Sequence, residues 1–99
     1  MVLPSPKSKY IIVRDQTFVS PSYPRYYPFV NDHGKGAKVW DIDGNRFLDF
    51  AAGIAVSSTG YSHPKVVKAI QAQAEKFIHI SSSSDYNYPL WVKMAEQLD

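Results

Sequence analysis

The sequence predicts an α+β architecture in which a β-hairpin, or small antiparallel sheet, precedes helices. Three observations carry this. Asp43-Gly44 lies between runs rich in β-branched, aromatic and aliphatic residues, which is the pattern of a hairpin turn. Pro64 opens a stretch whose apolar residues recur at three- and four-residue spacing. Pro89 opens a second such stretch.

Size and composition bound what these elements can build. With 99 residues, 44% of them hydrophobic and 14% aromatic, the chain has a globular composition at the small end of what one core supports. Its net charge of +2 is spread along the chain without a block of like charge, so neither nucleic acid nor a membrane surface is an expected partner. There is no cysteine, which excludes disulfides, a thiolate nucleophile and thiolate metal ligands. The short apolar run from Tyr10 to Val13 cannot form a signal-peptide core or a membrane span, so the protein is expected to be soluble, unexported and cytoplasmic.

Residues 1–9, rich in Pro, Ser and Lys, read as a frayed tail. Tyr10 to Val19 fits one short helix or one strand. In SPSYPRYYP, prolines 21, 24 and 28 enforce an extended strap, and Tyr23, Tyr26, Tyr27 and Phe29 need a surface to lie on. Gly34 and Gly36 flank Lys35 and make the turn into the hairpin. A two-residue Asp43-Gly44 loop sets Asp41 opposite Arg46, Trp40 opposite Phe47, Val39 opposite Leu48 and Lys38 opposite Asp49. A three-residue loop with a bulge at Gly44 shifts that register. Residues 53–64, GIAVSSTGYSHP, then form a bare strip without an acid. Val66, Val67, Ile70, Ala74, Phe77 and Ile78 predict a helix from about 64 to 78. After the polar loop HISSSSDYNY, Leu90, Trp91, Met94, Ala95 and Leu98 predict another helix from Pro89.

The chemical candidates are sparse. His63 and His79, with Asp32 or Asp85, lack metal-ligand spacing and read as ordinary surface or helix-end residues. Ser57, Ser58 and Ser81 to Ser84 lack a nucleophile elbow and read as loop and capping residues. A Schiff-base lysine needs burial or a cationic neighbour, and each of the eight lysines lies in the tail, the hairpin region or a polar helix position. No catalytic residue is assigned. GKG lacks the spacing of a phosphate loop.

The run from Gly34 to His79 nevertheless resembles the N-terminal part of class III pyridoxal-phosphate-dependent aminotransferases, the group containing 4-aminobutyrate, acetylornithine and ornithine aminotransferases. The resemblance rests on Gly34-Lys35-Gly36, Asp41-Ile42-Asp43-Gly44, Leu48-Asp49-Phe50, Gly53-Ile54-Ala55-Val56, Thr59-Gly60 with His63-Pro64, and the following helix. SPSYPRYYPFV resembles the strap before the hairpin in these enzymes, and YPLWVKMAEQL the start of their next helix. Tyr61 departs from the family, which usually has His there.

This resemblance implies a piece of a fold type I pyridoxal-phosphate transferase, α/β as a whole. Residues 1–17 would be a tail and short element, 18–80 the N-terminal part of the small domain, and 81–99 a loop and the start of the large cofactor-binding domain. The strip after Leu-Asp-Phe passes the substrate end of the active site in the family. Ile54 is therefore the expected substrate contact, and Tyr86 the second. The implied reaction transfers an amino group from an amine or ω-amino-acid donor to a 2-oxo acid through pyridoxal 5'-phosphate, in a homodimer. The Schiff-base lysine, ring-nitrogen acid, phosphate cup and carboxylate-binding arginine lie downstream in the family, so the chain alone is expected to be an inactive fragment. The alternative is a non-catalytic interaction module derived from the family.

Overall fold

A computed structural model describes all residues from Met1 to Asp99. They form two units, Met1–Pro64 and Lys65–Asp99. The first holds α1 (Pro6–Phe18), β1 (Asn31–Lys35), β2 (Lys38–Asp41), β3 (Arg46–Leu48) and the four-residue turn α2 (Ala52–Ala55). The second holds α4 (Pro89–Leu98) and all of α3 (Pro64–Ala74) beyond its first residue. The expected α+β content is present, with a three-stranded antiparallel sheet in the order β1-β2-β3.

The amino-terminal residues correct the expectation of a frayed tail over 1–9. Pro6 starts α1 at a position where a missing amide donor costs nothing, yet the next amides still need acceptors. Asp43, 35 residues further on, supplies them. Its carboxylate accepts from the Lys7 amide at 2.9 Å, the Ser8 amide at 2.8 Å and the Ser8 hydroxyl at 2.7 Å. Asn45 Nδ2 also donates to Ser5 Oγ at 3.0 Å. Helix geometry thus extends through Tyr10–Phe18, resolving that segment as helix. Composition alone misread 1–9 because the ordering partner is remote in sequence.

The β2–β3 hairpin takes the three-residue loop, Ile42 to Gly44, and not the two-residue one. Lys38 pairs with Leu48, Val39 with Phe47 and Trp40 with Arg46, one residue away from the charge-matched register. The cause is Asp41, whose carboxylate folds over the loop and accepts from the Asp43 amide at 3.0 Å, the Asn45 amide at 2.7 Å and Asn45 Nδ2 at 2.8 Å. Gly44, at φ 87°, completes the turn with its amide on the Asp41 carbonyl. The charge pairs Asp41–Arg46 and Lys38–Asp49 therefore do not form across the ladder, and Asp41 instead spends its carboxylate on backbone amides.

β1 has no strand-like alternation in its sequence, Asn-Asp-His-Gly-Lys, and exists because β2 pairs with it. The ladder skips Asp32, which bulges out beside His33 at 2.6 Å, while the His33 ring stacks on Trp40 at 4.7 Å. Phe29, at the end of the strap, meets Phe47 edge to face at 5.3 Å. Tyr23, Tyr26 and Tyr27 stay exposed.

In the second unit the helix expected to reach 78 stops at Ala74. The following amides still reach back to Gln71 and Gln73, and Gln73 Nε2 donates to the Phe77 carbonyl at 3.2 Å. Phe77 turns out of the helical path to meet Tyr88 edge to face at 5.4 Å, and Tyr88 in turn lies beside Trp91 of α4. No hydrophobic side chain in either unit is buried, and no helix is long and apolar enough to cross a membrane.

The Asp43 anchor has a pH signature. Partial burial alone would raise its pKa, but the Ser8 hydroxyl, the Lys7 and Ser8 amides and the Lys7 charge together hold it below the ordinary 3.8. A depressed folded-state value means that the anchor's contribution is complete above pH 3.8 and disappears as pH falls through the lower value. Amides of α1 are expected to lose protection against hydrogen exchange in that acid range. Ser8→Ala is expected to move the loss to higher pH; protection indifferent to both changes would refute the anchor.

Candidate functional site

The bare strip begins with a conformation that its sequence does not advertise. Ala52, Gly53, Ile54 and Ala55 all have positive φ, at 49°, 61°, 61° and 62°. α2 is therefore a left-handed turn. Its closing bonds run from the Ala55 amide to the Ala51 carbonyl at 3.0 Å, and from the Val56 and Ser57 amides to the Ala52 carbonyl at 2.8 Å each. Left-handed geometry costs roughly 1–2 kcal/mol for each non-glycine residue, and a β-branched side chain is the least suited to it. Ile54 occupies it with its side chain 92% exposed.

Such strain persists only where surrounding bonds over-determine it. Asp49, just after β3, supplies them on both sides of the strip. Its Oδ1 accepts from the Ala51 amide at 2.8 Å and the Ala52 amide at 3.2 Å, fixing the entry to the turn. Its Oδ2 accepts from the Tyr61 hydroxyl at the far end. The Asp49 backbone amide is itself held by the Ala37 carbonyl at 2.9 Å, which roots the carboxylate beside the sheet.

Tyr61 is docked by glycines. Its amide and carbonyl bond reciprocally with Gly36 at 2.8 and 3.0 Å. A Cβ on Gly34 would come within 2.6 Å of the Tyr61 ring, and one on Gly60 within 3.1 Å of the Gly36 backbone. The Gly-x-Gly pattern thus has two separate jobs: Gly36 opens the β1–β2 turn as expected, whereas Gly34 lies within β1 and clears space for the ring.

The electrostatics are self-consistent. The Tyr61 hydrogen bond, with the Ala51 and Ala52 amides, outweighs burial and lowers the Asp49 pKa. The Asp49 hydrogen bond, burial and the Asp49 charge raise that of Tyr61, against a smaller opposing bond from Ser57. The proton stays on the phenol and the carboxylate stays ionised. Both carboxylate oxygens are committed to donors at Ala51, Ala52 and Tyr61, and residues 50–61 contain no charged side chain. This surface can shape and select an apolar portion of a ligand, but it offers no base or nucleophile.

Of the two residues expected to contact substrate, Ile54 stands on this turn, in the first unit. Tyr86 lies in the second unit, after a turn closed by its amide on the Ser81 carbonyl at 3.0 Å, and is 60% exposed. Ser81 Oγ donates to Asp85 at 2.7 Å within the same turn. The residues that sequence reasoning missed are Asp49 and Tyr61. The available signal was an aspartate two residues before Ala51, the spacing at which a carboxylate caps backbone amides.

Two measurements check this site. Gly34→Ala is expected to destabilise the first unit by about 1–3 kcal/mol, since the ring or the strand must shift; an unchanged denaturation midpoint would mean the ring does not rest there. In a phenolate absorbance titration, one of the seven tyrosines is expected to ionise above the ordinary 10.0, and Tyr61→Phe should remove that step. By linkage, the contribution of the pair is complete between pH 3.8 and 10.0 and declines on either side, as Asp49 gains a proton or Tyr61 loses one.

The family model for class-III aminotransferases matches residues 19–98. Acetylornithine aminotransferase of Bifidobacterium longum is 64% identical over 53 residues, covering 54% of this chain and 12% of that protein. That of Methanothermobacter thermautotrophicus is 49% identical over 75 residues, covering 76% and 19%. The solved acetylornithine aminotransferase from Elizabethkingia anophelis superposes with a TM-score of 0.78 at 32% identity, over 92% of this chain and 24% of its own. The chain thus spans 12–24% of the length of these relatives.

The family works with pyridoxal phosphate, which needs a lysine of depressed pKa and a phosphate cup. All eight lysines here are exposed, so the residues present do not fit covalent attachment of that group. What the chain does share with a solved member is its fold over 92% of its length. With residues 19–98 matched and the fold held in common with a solved member, this chain belongs to the class-III aminotransferase family.

Proposed function

We propose that the chain is the N-terminal portion of a class III aminotransferase, in which the α2 strip forms the wall facing the amino donor. The observation that carries this reading is the strained, left-handed presentation of Ile54, an aliphatic side chain 92% exposed on an uncharged surface. Strain of this kind collects where a side chain must stand in one place for a ligand. Ile54 is the donor contact and Tyr86 a second one. The enzyme as a whole moves an amino group from an amine or ω-amino acid to a 2-oxo acid, as a cytoplasmic homodimer. Residues 18–80 belong to its small domain, and 81–99 lead into the large one.

In this reading pyridoxal 5'-phosphate supplies the electron sink, and the residues that hold it lie outside the present sequence. The 99 residues contribute shape: Ile54 limits the bulk of the donor, and the ionised Asp49 is turned away from it. The chain alone is then inactive.

The test is a hybrid in which these 99 residues replace the matching segment of a full-length acetylornithine aminotransferase. Ile54→Tyr is expected to change the ratio of kcat/KM between a short and a long amino donor by about tenfold, the scale of a reshaped apolar pocket. Cofactor affinity should stay within twofold. Unaltered donor preference in an active hybrid would reduce Ile54 to a packing residue.

A further inference from the structure

The strip has two ends and one carboxylate. Asp49 Oδ1 takes the amides that begin α2, and Asp49 Oδ2 takes the hydroxyl of Tyr61, six residues beyond Ala55. One carboxylate thus reaches both ends. We propose that Asp49 and Tyr61 are positioning residues, a clasp that holds Ala52–Ala55 left-handed and so fixes where Ile54 stands. The functional weight of this inference rests on the reading of Ile54 as the donor contact, but the clasp itself is a statement about backbone geometry.

The energetic argument is direct. An isolated Ala-Gly-Ile-Ala segment would leave the left-handed region, because Ala52, Ile54 and Ala55 each pay a steric penalty there. The three closing hydrogen bonds of α2 are internal to the strip and are available in mirror form to a right-handed turn. They cannot choose the hand. What distinguishes the hands is the direction in which the chain enters and leaves, and those directions are set at Ala51–Ala52 by one carboxylate oxygen and at Tyr61 by the other. The Gly36–Tyr61 bonds and the ring seated over Gly34 make the far end a fixed point. The backbone bond from Asp49 to Ala37 does the same for the near end. With both ends tied to neighbouring residues of the β1–β2 turn, the segment between must turn sharply and present its third residue outward.

The experiment uses carbon chemical shifts of the full-length hybrid enzyme, segmentally labelled in these 99 residues, since Cα and Cβ shifts register positive φ residue by residue. The hybrid without further substitution is expected to show left-handed shifts at 52–55. Asp49→Ala, which removes both acceptors, and Tyr61→Phe, which removes only the hydroxyl, are expected to lose them while the shifts of β2 and β3 hold. Asp49→Asn keeps an acceptor for the amides and a partner for the phenol, and is expected to retain them. The proposal is overturned if the unsubstituted hybrid lacks these shifts, or if Asp49→Ala and Tyr61→Phe leave 52–55 unchanged. It is equally overturned if the sheet shifts together with the strip, or if Asp49→Asn loses the signature as fully as Asp49→Ala. These spectra are read without any donor, so their outcome is independent of whether Ile54→Tyr alters donor preference.

Discussion

The first unit depends on a carboxylate network at the tip of one hairpin. Only two side chains in the chain are buried, Ser8 at 1% and Asp41 at 3% exposure, and both are polar members of this network. Asp41 closes the loop on itself, and Asp43 at its apex receives the first turn of α1. In a domain with a full apolar core such contacts would trim the structure. Here no apolar side chain is buried, so directional bonds to two carboxylates set the hairpin register and the attachment of the amino-terminal helix. Each bond is worth more where its alternative, a half-buried carboxylate without donors, is costly.

The same device recurs at Asp49. Three aspartates within nine positions, 41, 43 and 49, each accept backbone amides, and each determines a local conformation that propensity would not choose. Asp41 lengthens a turn, Asp43 caps a helix distant in sequence, and Asp49 starts a turn of the wrong hand. The acidic punctuation of this stretch is therefore structural, which is consistent with a surface that shapes a ligand while chemistry is supplied elsewhere.

This division explains what could be read in advance. Helices opened by Pro64 and Pro89 were legible because apolar spacing and a proline at the first position are local signals. The hairpin was legible too, but its register was not: counting cross-strand charge pairs favours Asp41 opposite Arg46, and nothing local reveals that the Asp41 carboxylate prefers its own loop amides. β1 was invisible because a strand recruited by pairing needs no alternation of its own. α1 was cut short in the reading because its cap arrives from Asp43. Ile54 was singled out only through family resemblance, since the left-handed backbone at 52–55 leaves no mark in Gly-Ile-Ala-Val beyond smallness.

α1 occupies residues 6–18, and the family match starts at residue 19. Yet Ser5 and Ser8 are bound to Asn45 and Asp43, inside the matched region. The superposition on the solved enzyme covers 92% of this chain and so reaches into that helix, which the family model leaves out. A border drawn by sequence matching at residue 19 would therefore cut through bonded structure. A chain trimmed there would leave the Asp43 carboxylate without its three donors and Asn45 without its serine partner.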